Sequence, residues 1–162
     1  MTPRFKAFVP FIIKHEVVFQ KGHYGDYNFV LTEHDPDDPG GTTRFGIDYG
    51  EHREKPWSMT QDQISRLTLQ EAQEIYFRHW VRNGCEEMPQ SVGEAFMNCA
   101  TMSGVSQAKL ILQRHSDAKG FLIDELGVFD KIVQRRPTSA KYLSGWKARI
   151  YDLGKFLGID IT

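Results

Sequence analysis

Apolar residues recur at intervals of three and four along most of the chain, the spacing of helices with one buried stripe. Phe5, Phe8, Val9, Ile12 and Ile13 form the first stripe, and its extension lands on Glu16, three beyond Ile13 and four beyond Ile12. A carboxylate is therefore expected on the inward face of that helix. Leu69, Ala72, Ile75, Tyr76, His79 and Trp80 make a second stripe, and Val92, Ala95, Phe96, Cys99 and Ala100 a third, closed by Gly104. Further helices are read at Ser106 to His115, Phe121 to Gln134 and Pro137 to Leu157. Thr60 with Gln63, Thr68 with Glu71, and Ser91 with Glu94 place a hydroxyl three residues before a Glu or Gln, the pattern of a capping box at a helix start.

Between Lys21 and Trp57 the periodicity fails, and Gly22, Gly25, Gly40, Gly41, Gly46 and Gly50 mix with Pro36, Pro39 and Pro56. This is turn chemistry, with short strands expected at Tyr27 to Thr32 and Thr43 to Ile47. Long irregular stretches inside compact domains are usually functional. The pattern predicts a mainly α fold, with a long glycine-rich loop or small β-hairpin after the first helix and a helical C-terminal region. Residues 1–91 are read as one region and 92–162 as a second, packed against it.

Composition narrows the function classes. The formal net charge of -1 lacks the positive field of a non-specific nucleic-acid binder. The charge is nonetheless polarised. Seven acidic residues against only Arg44 lie between Asp26 and Glu51, and seven Lys or Arg against only Asp152 lie between Lys131 and Lys155. That basic stretch suits an anionic polymer or simple solvation. Cys85 and Cys99 are widely spaced, which fits neither a disulfide scaffold nor a paired metal site and points to a reducing compartment. The apolar run from Ala7 to Ile13 contains Pro10 and has no cleavage site after it, so neither a signal peptide nor a membrane-inserted helix is expected.

An inward Glu at a helix end, followed by a polar loop, is where desolvation keeps a carboxyl protonated near neutral pH, as a general acid requires. Glycosidic cleavage needs such an acid plus a second group that activates water or stabilises the charge on the sugar. Asp26, Asp35, Asp37 and Asp38 are candidates for that second role. The alternative for Glu16 is a helix end facing solvent, or an ion pair with Lys14 or Arg44. His15-Glu16 begins like a zinc-protease helix, but Phe19 stands where the second His belongs. The run Asp35 to Gly46 fails as a calcium loop, with Pro39 at its fifth position and Gly46 at its twelfth. Neither a zinc-protease site nor a calcium loop of that type is expected.

Several segments together resemble glycoside hydrolase family 108, the phage and bacterial N-acetylmuramidases. Lys14-His15-Glu16-Val17-Val18 is similar to the family's His-Glu-Gly-Gly motif, with valines in place of both glycines. Asp38-Pro39-Gly40-Gly41-Thr42-Thr43-Arg44-Phe45-Gly46-Ile47-Asp48 resembles its Asp-Pro-Gly-Gly landmark, and Leu67-Thr68 through Trp80 resembles its second region. Pro137 to Leu153 is similar to the helical peptidoglycan-binding region that commonly follows. The resemblance implies a lysozyme-like fold and cleavage between N-acetylmuramic acid and N-acetylglucosamine, with Glu16 as the acid and with no metal or organic cofactor. It also implies Asp38 as a candidate for water positioning, with Thr43 and Trp80 as substrate contacts. Peptidoglycan strands are the implied partner, met by a monomer made in the host cytoplasm and passed to the wall through a holin-like pore. A lytic transglycosylase and a non-catalytic wall- or partner-binding protein are the competing readings.

Overall fold

The structure is a computed structural model and describes residues 1–34, 41–49 and 59–161. Its described residues form seven α-helices, two 3-10 turns and one small sheet, arranged as two compact units, Met1–Arg78 and His79–Thr162.

In the first unit, α1 (Pro3–Glu16) starts where Thr2 Oγ1 accepts from the Phe5 amide at 3.2 Å and Pro3 takes the first turn. Both features suit a helix start, since Pro has no N–H to leave unpaired there. Phe5, Phe8, Val9, Ile12 and Ile13 are buried as the stripe predicts. Pro10 sits on the exposed side without ending the helix. Glu16 is the last helical residue, and Val17 turns extended.

The strand expected at Tyr27 to Thr32 is not formed. Asp26 Oδ1 accepts from the Asn28 amide at 3.1 Å and starts a 3-10 turn at Tyr27–Phe29. A short side-chain acceptor that bonds the backbone two residues on competes with the extended state. What survives is a narrow antiparallel contact, with a bridge between Phe19 and Val30 and a bond from the Leu31 amide to the Val18 carbonyl at 2.8 Å.

The sheet comprises β1 (Glu33–His34), β2 (Thr42–Arg44) and β3 (Ile47–Asp48), antiparallel in that order. The single strand read at Thr43 to Ile47 is thus two strands joined by a two-residue turn. Phe45 and Gly46 both have positive φ, 55° and 71°. That is the signature of the mirror-image turn whose twist matches a hairpin. Phe45 accepts this backbone because its ring is buried, 1% exposed. Arg44 fastens the hairpin, its guanidinium donating to the carbonyls of Leu67 (2.9 Å) and Val30 (2.5 Å). Partial burial holds the Arg44 pKa below its ordinary value.

Next come α2 (Gln61–Ser65) and α3 (Leu69–Arg82), the latter running into the second unit. Both begin with the reciprocal capping bonds the sequence predicts. The Thr60 amide meets Gln63 Oε1 at 2.8 Å, and the Thr68 amide meets Glu71 Oε2 at 2.8 Å. The Thr68 bonds hold the exposed Glu71 carboxyl below its usual range.

The second unit contains α4 (Val92–Ser103), α5 (Val105–Leu112), α6 (Ala118–Arg135) and α7 (Ala140–Leu157). The capping box expected at Ser91 and Glu94 is absent. Ser91 is left-handed, φ 71°, with no side-chain cap, and the Val92 amide bonds the Pro89 carbonyl instead. The final helix read from Pro137 begins at Ala140, after a 3-10 turn at Pro137–Ser139.

One buried acid makes stability depend on pH. Glu125 of α6 is fully buried, and its carboxyl has no strong hydrogen-bond donor, only the weak thiol of Cys99. Burial pushes this carboxyl up to about 8, while the weak Cys99 thiol donor and the Arg149 charge pull the other way and lose. Cys99 is itself pushed up by burial and by the neighbouring Glu125. Because the folded value lies above the unfolded one, the native state holds a proton that the unfolded chain has released between these pH values. This group's contribution to stability is complete below about pH 4.5, falls as pH rises toward 8 and then levels off, a loss on the order of 5 kcal/mol. Glu125→Gln removes the titration, so its urea midpoint should exceed the native one at pH 9 and lose that advantage near pH 5. Parallel pH curves for the two proteins contradict this account.

Candidate active site

The site is built where the end of α1 meets the β2–β3 turn. Glu16, half-buried, leaves the last turn of α1 beside Gly46. A methyl group placed on the Gly46 Cα would lie 2.5 Å from Glu16 Oε2, 2.8 Å from Glu16 Cβ and 2.8 Å from the Tyr76 hydroxyl. The turn therefore needs glycine twice, once for its backbone angle and once for the space that the glutamate and tyrosine occupy. Tyr76 reaches this point from α3, and its hydroxyl donates to the Phe45 carbonyl at 2.8 Å.

Among the sequence candidates, Glu16 is thus at the turn. Arg44, an alternative ion-pair partner for it, spends its hydrogen bonds on Val30, Leu67 and Thr32. Thr43 is half-buried in the middle of β2, paired in register with Glu33 and Asp48. Asp26 is exposed and engaged by Asn28 through its amide and side chain. Asp35, Asp37 and Asp38 lie outside the described residues. Trp80 is fully buried, its indole N–H donating to Glu86 at 2.7 Å, so the structure places it in the interior rather than on a surface open to a sugar.

Three residues at the site were not singled out in the sequence as site residues: Phe45, Gly46 and Tyr76. Tyr76 had a usable signal, a hydroxyl on an otherwise apolar stripe, since a buried tyrosine O–H normally finds a partner.

The second unit offers different chemistry. A cavity of about 390 Å³ lined in part by Leu110, Phe129, Ile132, Trp146, Lys131 and Arg135 has no acidic lining residue. It cannot supply the acid of a hydrolysis. The basic stretch is also partly spent there, with Lys147 paired to Asp130 at 2.7 Å and Arg149 buried on Asn98 at 2.8 Å. Among the described residues no three His, Cys, Asp or Glu side chains are grouped to hold a metal, and no helix is long and apolar enough to cross a membrane.

A mainly α chain with a small sheet and a glutamate at the end of its first helix against a hairpin turn has a lysozyme-like fold. The profile of the family Glycosyl hydrolase 108 matches residues 25–110, more than half of the chain, and the chain belongs to that family. The matched segment begins after Glu16 and includes Phe45, Gly46 and Tyr76. Among solved structures, the chain is similar to Brucella abortus SagA, with a TM-score of 0.70 and 19% sequence identity over 96% of this chain and 94% of that one. This likeness is one of fold. No curated protein sequence matches.

Proposed function

We propose that the chain hydrolyses peptidoglycan at the bond between N-acetylmuramic acid and N-acetylglucosamine, with Glu16 as the general acid. The observation that carries this reading is the placement of the Glu16 carboxylate, to which helix periodicity leads, against Gly46, which lies within the segment matched by the family. In the proposed reaction Glu16 gives its proton to the glucosamine O4 as the bond from the muramic C1 to that oxygen breaks. Water then adds to C1 and returns a proton to the carboxylate. The partner that steers this water is assigned to the residues ahead of β2, with Asp38 as the family-based candidate and Thr43 as a hydroxyl contact on the strand. Peptidoglycan strands are the substrate and partner on this reading, and no cofactor takes part.

Val17 and Val18 stand directly after the acid in place of the family's glycines, with Val18 exposed and Val17 half-buried. They narrow the approach to Glu16 and are assigned to the substrate's pose rather than to the chemistry.

The test is the mass of the sugar ends released from purified peptidoglycan. Hydrated reducing muramic acid is expected. Ends lighter by one water would replace hydrolysis with intramolecular attack by the muramic O6, the lytic transglycosylase reaction. Binding to the wall without any soluble product would make the chain a wall-binding protein on an enzyme's fold.

A further inference from the structure

We propose that the cavity of the second unit is a membrane-surface site for an anionic phospholipid, which lays its phosphate on Lys131 and Arg135 and one acyl chain along Phe129, Ile132 and Trp146. The site shares no residue with the one around Glu16 and does not depend on the hydrolase reading.

The lining, drawn from α4 to α7, divides by chemistry. Leu110, Phe129, Ile132 and Trp146 supply an apolar wall, and the volume of about 390 Å³ falls within the roughly 300 to 1,000 Å³ of small-molecule sites. Lys131 and Arg135 stand four apart on α6 and so share one face of it. Both are exposed, and neither side chain has an ion-pair or hydrogen-bond partner among the described residues. Arg114 adds a third cation, held at 2.7 Å by Asp124. No described lining residue is acidic, so the charge is complementary to an anion. The uncharged polar residues among the described lining are Ser103 and Gln107. Sugar hydroxyls or peptide amides drawn inside would lose water with few bonds in return, whereas an acyl chain needs none. The aromatic rings point the same way. Phe129 is buried, Trp146 is half-buried 5.3 Å from it, and Tyr142 is exposed 5.8 Å beyond, with the Lys141 ammonium 4.8 Å from its ring centre. A tryptophan and a tyrosine graded from interior to surface beside cations suit the boundary between lipid and water, where such amphipathic rings settle.

The experiment mixes the full chain, without cell wall, with vesicles of phosphatidylglycerol in phosphatidylcholine and with vesicles of phosphatidylcholine alone. Affinity for the anionic vesicles is expected to be higher by roughly 30-fold, since each of two cations at an anionic surface contributes about fivefold. The double replacement Lys131→Gln with Arg135→Gln should abolish that preference. Both side chains are exposed, so its melting temperature should stay near native. Bromine on the acyl chains should quench tryptophan fluorescence, and Trp146→Phe should remove that quenching. If Trp146→Phe folds poorly, the fall in quenching with the double replacement serves instead. No preference for anionic vesicles, an unchanged preference in the double replacement, or displacement by soluble glycerol phosphate overturns the proposal. So does quenching that survives in folded Trp146→Phe, or anionic binding with no quenching at all. Release of sugar ends from membrane-free peptidoglycan should be the same for the native protein and the double replacement. A loss there, with no binding to vesicles, would give the cavity to the wall polymer and overturn the lipid assignment. The vesicle readouts use no turnover, so they decide this site whether or not the chain hydrolyses peptidoglycan.

Discussion

Gly46→Ala is expected to abolish measurable turnover and to destabilise the first unit by about 2 to 4 kcal/mol. Two costs combine. An alanine in the left-handed region loses about 1 kcal/mol relative to glycine. The added methyl also meets Glu16 Oε2 at 2.5 Å, and both Glu16 Cβ and the Tyr76 hydroxyl at 2.8 Å. Overpacking of a filled site typically costs about 1 to 3 kcal/mol. The carboxyl oxygen has rotamers to escape into, but Cβ belongs to the helix and moves only with it. Relief therefore comes from displacing the turn or swinging the acid away, and either one moves Glu16 from its place against the turn. Urea denaturation checks the stability change, and release of reducing ends checks a loss of roughly 100-fold or more, the scale of an ångström-sized misplacement. An alanine variant with native midpoint and native rate contradicts the packing described for this turn.

Glu16→Gln is expected to lower turnover by about 1,000-fold, inside the range of 10² to 10⁴ associated with loss of a general acid. The amide keeps the length and shape of the side chain. It donates hydrogen bonds but has no proton to transfer to a leaving oxygen. Packing against Gly46 should survive, so the melting temperature should stay within a few degrees of native, and wall binding should persist. This combination of lost turnover with retained fold and binding separates a reacting group from a structural one. A comparable loss of stability would show instead that the carboxylate is needed to build the turn.

The helices were largely legible because their apolar spacing is a direct consequence of burial on one face. Phe5 to Ile13 gave α1 and carried the pattern onto Glu16, and the Thr60 and Thr68 capping boxes marked the starts of α2 and α3. Local polar competition hid the rest. Asp26 bonding Asn28 replaced an expected strand with a 3-10 turn, and left-handed Ser91 cancelled an expected cap. The sequence marked Thr43 to Ile47 as extended but not as folded back at Phe45, because phenylalanine is an improbable residue for a positive φ. The burial of its ring and the tertiary bond from Tyr76, distant in the chain, make that turn intelligible. Trp80 lies on the apolar stripe of α3, which favours core packing over a sugar contact, and its burial on Glu86 follows that stripe.

The most direct measurement is the release of soluble sugar ends from purified peptidoglycan by the native protein and by Glu16→Gln, side by side at equal folded concentration. The account predicts hydrated muramic acid ends from the native protein and about 1,000-fold fewer from the variant. Equal release by both proteins would contradict it and move the acid away from Glu16.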